Sequence, residues 1–219
     1  RKYLASRGWQ GGSLEYLDEL GILGPNVISA HSQVLHEGEY DLIASRKATI
    51  ALVPDMEAFL GLVEFDTRNF MDRGVPCGIG LDGCVVSYHH NLWYSARQLI
   101  QNQRMHDKHE LHMHQKSANE EVFGSAELAL EVATIGGARA LGMDDRIGSL
   151  EVGKEADVAV LDTTRALHLS SPAALIASLV YGGGNNTEFV KHVYVSGRKI
   201  ISEGDPVKVD VPTAIANAN

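Results

Sequence analysis

"GVPCGIGLDGCVVSYHHN", residues 74–91, decides how this chain is read. Its apolar run, Val75 to Leu81, has the length of a buried strand, yet it stops abruptly at a carboxylate, Asp82, followed by Gly83. A polar turn carrying His89 and His90 comes next, with Trp93 and Tyr94 close behind. In mid-strand such a charge would oppose folding. At the carboxyl end of a barrel strand it stands where catalytic groups are held. Two other apolar runs close in a comparable way: "NVISAH" ends in His31, and "ATIALVP" leads into Pro54 and Asp55.

Amphipathic stretches separate these runs. "SLEYLDELG" predicts a helix with Ser13 as its cap, Leu14, Leu17 and Leu20 at helical spacing, and Gly21 as its stop. "EGEYDLIASR" and "FDTRNFMDRG" predict two more, the second ending on Gly74. In "NLWYSARQLIQNQR", Leu92, Trp93, Ala96, Leu99 and Ile100 share one helical face. Strands apolar on both faces alternating with helices are the pattern of a parallel sheet covered by helices. The strands are expected within 26–31, 48–53 and 75–81, adjacent and parallel. Periodicity fits a closed (β/α)₈ barrel and an open sheet alike.

A further helix, "SAELALEVATIGGARALG", is expected to be capped by Ser125 and stopped at Gly142. From about residue 147 the texture changes. "IGSLEVG", "DVAVLD", "FVKHVYVSG" and "RKIISEG" read as short strands, with Ser196-Gly197 as a two-residue hairpin turn. One helix, "PAALIASLVY" at about 170–182, interrupts them, and the polar tail "TAIANAN" reads as frayed.

Length and composition bound the remaining choices. A chain of 219 residues suits one sizeable core, or one large piece plus a small one. With 44% hydrophobic and 21% charged residues it has the composition of a soluble globular protein. A net charge of −9 opposes nucleic acid as a partner, because phosphate binding needs an excess of Lys and Arg. No apolar run approaches the roughly 18 residues of a membrane helix, and "RKYLASRGW" has no apolar signal-peptide core. Two cysteines, Cys77 and Cys84, make no disulfide framework and fit a reducing, cytoplasmic setting. The chain opens on Arg rather than Met, from which we expect a portion of a longer gene product.

Asp82 and His31 suggest a metal site, since zinc and iron take carboxylate and imidazole ligands and acidify a bound water at an open position. Spacing equally fits Asp82 as a helix cap or turn former and His31 as a hydrogen-bonded core histidine. "HDKHELHMH", residues 106–114, places His112 and His114 as H-x-H, but between Lys108 and Lys116, which fits surface histidines better than a built site. "YGGGNN" lacks the lysine and spacing of a phosphate cradle. His89, His90, Trp93 and Tyr94 read as pocket lining or as structural groups, and His168 and His192 as structural. No G-x-S-x-G is present.

Three segments together resemble the amidohydrolase superfamily, in particular its cytosine deaminase and triazine hydrolase branch. "LGILGPNVISAHS" is similar to the family's strand-six segment and "GVPCGIGLDG" to its strand-eight segment, with Leu81 where the family has threonine. "ALEVATIGGARALGMDDRIGSLEVGKEADVAVLD" is very close to the element joining the barrel's last helix to the β-sandwich. The resemblance covers residues 14 to about 204. It implies an α/β fold: the C-terminal part of a (β/α)₈ barrel, strands six to eight, over residues 1–146, then part of a small β-sandwich over 147–219.

By the same resemblance, Asp82 is the strand-eight metal ligand and accepts the proton of the attacking water. His31 hydrogen-bonds the attacking hydroxide. The implied reaction is metal-dependent hydrolysis of a carbon–nitrogen bond other than a peptide bond. Its leading form is deamination of a heterocyclic amine by a metal-bound hydroxide, with one zinc or iron as cofactor. Two alternatives stand beside it: dechlorination of a triazine-like ring, and a non-catalytic half barrel serving binding or assembly. The expected partners are a small-molecule substrate, the N-terminal half of the barrel and a second copy of the chain. The family's strand-one H-x-H and its strand-five histidine and glutamate have no match here. Where strand seven ends in P-x-S-N in the family, this chain has "PDMEAFLG". Asp55 and Glu57 are thereby expected at the pocket, selecting a cationic substrate or bonding local backbone. His89, His90 and Trp93 are the remaining expected substrate contacts.

Overall fold

The computed structural model describes residues 2–32, 34–61, 66–83, 85, 89–113, 124–163, 171–182 and 189–217. Cys84, His114, His168 and residues 183–186 of the glycine-rich stretch lie outside the described residues, as does the side chain of His112.

Three short strands, β1 (Ile28–Ala30), β2 (Thr49–Leu52) and β3 (Cys77–Ile79), form a parallel sheet in that order. Ile28 pairs with Thr49, and Ile50 with Cys77. All three lie inside the ranges expected from the sequence. Helices Glu37–Arg46, Thr67–Asp72 and Leu92–Met113 cover the sheet and supply Tyr40, Ile43, Phe70 and Leu99 to a core built on Ile50, Leu52 and Cys77. A second apolar cluster joins Ala96 and Ile100 to Ala126, Ala129 and Val180, so helix Pro172–Gly182 packs back on helices Leu92–Met113 and Ala126–Glu131.

The closing helical segment is not uniform. Ala126–Glu131 is α-helical, Val132–Gly136 makes a π turn, and Gly137–Ala140 resumes the α-helix. The wider turn brings two glycines onto β3. A Cβ on Gly136 would lie 2.7 Å from the Cys77 carbonyl oxygen, and one on Gly78 would lie 2.9 Å from Gly137 Cα. Thr49 Oγ1 donates to the Ala140 carbonyl (2.8 Å), which ties the same segment to β2.

A four-stranded antiparallel sheet follows: β4 (Val158–Leu161), β5 (Val190–Val195), β6 (Arg198–Ser202) and β7 (Asp205–Pro206). Its β5–β6 turn has Ser196 at φ 47° and Gly197 at φ 73°, the left-handed pair that a tight hairpin requires.

Several local expectations are corrected. Ser13 is not the cap of its helix. Gly12 holds that position, its N–H donating to Glu15 (2.7 Å), while Glu39 accepts the Leu14 N–H (2.9 Å) from another helix. "IGSLEVG" forms turns rather than a strand, because Gly148 and Gly153 both adopt positive φ. The helix begun at Leu92 continues to Met113 and takes in the start of the histidine-rich stretch. The tail is helical over Val211–Asn217, with Asp210 accepting the Thr213 N–H (3.3 Å), although none of its residues is buried. Among the described residues no helix is long and apolar enough to cross a membrane.

Candidate active site

β1 and β3 lie on opposite sides of β2, yet the residues just past their carboxyl ends meet. His31 and Asp82 both leave the extended conformation abruptly, at φ 64° and 58°, and Ser32 follows at 54°. Side chains other than glycine seldom occupy this region, and where they do the surroundings hold them there. The turn after β1 is tied by the His31 N–H donating to the Ala51 carbonyl (3.0 Å) and by a Ser29–Ser32 hydroxyl bond (2.7 Å). Asp82 Oδ1 accepts the Gly83 N–H (2.6 Å). Its Oδ2 then lies 3.6 Å from His31 Nε2, an ion-pair distance rather than a hydrogen bond. Both side chains remain open to solvent, at 41% and 33% exposure.

Helix Pro54–Leu60 starts directly after β2, with Pro54 preset for a first turn. The sequence turns Asp55 and Glu57 toward the pocket. In the structure Asp55 is nearly enclosed and Glu57 fully so. Asp55 Oδ2 accepts the Ser95 hydroxyl, and Oδ1 lies 3.7 Å from His89 Nε2. Glu57 Oε1 accepts the Val53 N–H (3.2 Å), satisfying the start of its own helix, while Oε2 is buried with no hydrogen-bond partner. Burial pushes the Glu57 carboxyl up to about 8, against the pull of the Val53 N–H and with the charge of Asp55 adding to the rise. The group is therefore largely protonated at neutral pH.

The segment after Asp82 carries the other expected contacts. His89 is partly exposed; its Nδ1 accepts the Asn91 N–H (3.3 Å), and its ring lies 4.6 Å from that of Tyr94. Asn91 Oδ1 accepts the Trp93 N–H (3.0 Å), capping helix Leu92–Met113. His90 is exposed, and Trp93 packs beside the cluster of Ala96 and Ile100. His106 belongs to a different group: it lies 3.8 Å from Asp107, which accepts from Arg68 (2.9 Å) and Gln103 (2.8 Å). His192 faces Glu203 at 3.4 Å in the antiparallel sheet.

Ser95 was not singled out from the sequence, although it is fully buried. Its signal is a hydroxyl beside Ala96 on the face that also carries Leu99, a polar break in an apolar stripe.

As a metal site this arrangement offers a carboxylate and an imidazole, a donor pair that suits zinc. Among the described residues no group of three His, Cys, Asp or Glu converges. Asp82 fits the part of one ligand, and a complete ligand set needs further donors.

Comparison with known proteins follows the same lines. Residues 5–200 match the profile described as "Amidohydrolase family". The chain is 30% identical over 188 residues to the 5-methylthioadenosine/S-adenosylhomocysteine deaminase of Syntrophobacter fumaroxidans, covering 86% of this chain and 40% of that protein. An adenosine deaminase from Xanthomonas campestris with bound zinc superposes with a TM-score of 0.79 at 29% identity, over 94% of this chain and 44% of the other. Atrazine chlorohydrolase from Arthrobacter aurescens, complexed with zinc, superposes with a TM-score of 0.78 at 26% identity, over 93% and 42%. The chain thus spans less than half the length of the proteins it matches.

Proposed function

The chain belongs to the amidohydrolase family, and from that premise we propose that the whole protein is a metal-dependent hydrolase that deaminates a heterocyclic amine. The observation that carries this reading is the meeting of His31 and Asp82, from two non-adjacent strands, on left-handed backbone at the carboxyl ends of a parallel sheet. Catalytic groups of (β/α)₈ enzymes come from such strand ends. That the similar curated proteins include deaminases supports the reaction class.

In this reading β1, β2 and β3 are strands six, seven and eight of the barrel. Residues 1–146 form the barrel portion. Residues 147–219 form part of a β-sandwich, with helix Pro172–Gly182 returning to the barrel helices. The free edges of β1 and β3 take strands from the N-terminal half, which also supplies the remaining metal ligands.

One divalent ion, read as zinc from the zinc-bound structural neighbours, acidifies a water and polarises the substrate when it is bound. Asp82 helps to hold it, and its carboxylate takes the proton of the attacking water and returns it to the departing nitrogen. His31 donates from Nε2 to the attacking oxygen and steadies the charge that gathers as the ring carbon becomes tetrahedral. His89, His90 and Trp93, on the segment after Asp82, face the substrate ring. Asp55, 3.7 Å from His89 Nε2, lends negative charge behind that ring, whereas Glu57 bonds the backbone at the start of its own helix and takes no part in substrate choice. A free, buried Cys77 thiol is in keeping with a reducing compartment, the cytoplasm.

A second reading, hydrolytic dechlorination of a triazine, is favoured by the likeness to atrazine chlorohydrolase. The two are separated by assaying the zinc-loaded full-length protein for ammonia release from adenine nucleosides, guanine and aminotriazines, and for chloride release from chlorotriazines. Ammonia release that disappears in Asp82→Ala is the expected result. Chloride release alone establishes the second reading, and neither product refutes both.

A further inference from the structure

Helix Pro54–Leu60, which leaves the carboxyl end of β2, is held firmly at one end only. Pro54, Asp55 and Glu57 are buried, whereas Ala58, Phe59 and Leu60 are exposed. Neutral groups of helix Leu92–Met113 grip the buried end. Asn102 donates its amide to the Pro54 carbonyl (2.8 Å), and Ser95 donates its hydroxyl to Asp55 Oδ2. The exposed end stops at Gly61, at φ 66°, where glycine turns the chain without strain. A short element buried along only part of its length opens locally more readily than the strands beside it.

The attachment turns on Glu57. Its Oε1 accepts the Val53 N–H (3.2 Å), and its Oε2 is buried without a hydrogen-bond partner among the described residues. A second enclosed carboxyl, Asp55, stands on the same helix, and its charge acts on Glu57. The groups that face the pair from other elements are Ser95 and Asn102 of helix Leu92–Met113, and His89, whose Nε2 lies 3.7 Å from Asp55 Oδ1. Among the described residues neither carboxyl pairs with an arginine or lysine. A second negative charge enclosed here is costly, and a proton on Glu57 removes it.

We propose that this helix is a proton-held strap: neutral Glu57 keeps it docked at the carboxyl end of β2, and loss of that proton swings its exposed end outward, carrying Glu57 into water. Opening draws Asp55 away from Ser95 as well. The strap thereby ties proton concentration to the strand ends at which His31 and Asp82 meet, whatever reaction they perform. The direction follows from linkage. In the open form Glu57 titrates at its ordinary 4.5, and in the closed form it keeps its proton up to about 8. Opening is therefore rarest below about pH 4.5, grows between the two values and levels off above about 8.

Amide hydrogen exchange of the full-length protein tests the strap, read by mass spectrometry on peptides within 54–61 and 48–53. Observed rates are divided by the intrinsic rate at each pH to give opening constants. Between about pH 5.5 and 7.5 the opening constant of the strap should rise roughly fifty- to a hundredfold. It should exceed that of the β2 peptide throughout. Glu57→Gln keeps Oε1 as an acceptor and abolishes the titration, and Glu57→Met removes the polar group altogether. In whichever variant folds, the rise should shrink to less than about threefold. A wild-type rise no larger than the variant's overturns the proposal. So does a strap that opens no more often than β2, because Glu57 would then be exposed only by global unfolding.

Discussion

At the scale of single residues, Asp82 is suited to a clean test. It sits at φ 58°, a conformation that asparagine tolerates better than most side chains, so Asp82→Asn removes the charge without adding backbone strain. With its side chain one-third exposed, the substitution should change stability by no more than about 0.5 kcal/mol. Under the proposed function, the same substitution in the full-length protein should lower kcat by roughly 10²–10⁴-fold, the usual worth of a positioned proton-transfer group. Thermal melting and steady-state kinetics on one preparation check both halves. An intact melt with an undiminished rate would remove Asp82 from the chemistry.

Glu57 makes a different prediction, about pH. Its carboxyl is held near 8 in the folded chain against an ordinary value of 4.5. Between those limits the folded protein keeps a proton that the unfolded chain releases. Stability is therefore greatest below about pH 4.5 as far as this group is concerned, falls as pH rises to about 8, and stays reduced above it. The loss across the window is roughly 3–5 kcal/mol, and a chain of this length shifts about 2–4 °C in Tm per kcal/mol. Glu57→Gln, uncharged at every pH, should flatten this contribution. Parallel melting curves in which wild type and variant decline alike between pH 5 and 8 would show that Glu57 does not carry it.

At the scale of elements, the π turn is what seats the last helix on β3, and the two glycines beside it differ in what they can accept. A Cβ on Gly136 would sit 2.7 Å from a backbone carbonyl that cannot move freely, so Gly136→Ala should cost about 1–3 kcal/mol. A Cβ on Gly137 has its nearest neighbour at 3.8 Å, so Gly137→Ala should be neutral, or stabilising by up to about 1 kcal/mol through helix propensity. Urea denaturation of the pair reads the contrast, and equal effects would refute the close-approach explanation. Glu39 joins two other elements, accepting the Leu14 N–H and, at 3.0 Å, the His36 N–H. That is why Gly12, rather than the expected Ser13, begins its helix: a distant carboxylate already occupies the capping direction.

At the scale of the whole molecule, the donors that the described residues bring together fall short of what catalytic zinc requires. Three protein ligands plus a water are usual, and among the described residues no such group converges. The 219-residue chain, dialysed against zinc and analysed by mass spectrometry, should hold well under one tightly bound equivalent. One tight equivalent per chain, lost in Asp82→Ala, would mean that this chain completes a site by itself and would bring the 106–114 histidines forward as ligands.

The sequence by itself determined the alternation of buried strands and helices, because burial on both faces of a strand requires unbroken apolar runs that composition reveals directly. It also placed the carboxyl ends of the strands to within two residues. His31 and Asp82 are visible as polar groups just past such runs, and the segment at 129–162 is specific enough to resemble one family. Only the tertiary structure decided what those ends do to one another. Left-handed turns at φ 64° and 58° bring side chains from non-adjacent strands to 3.6 Å, and no local pattern encodes that distance. It decided likewise that Asp55 and Glu57 are enclosed, that Ser95 meets Asp55 across 40 residues of sequence, and that "IGSLEVG" turns instead of pairing. Those outcomes depend on which segments arrive beside each residue. Periodicity fixes the face a side chain occupies, and packing fixes its neighbour.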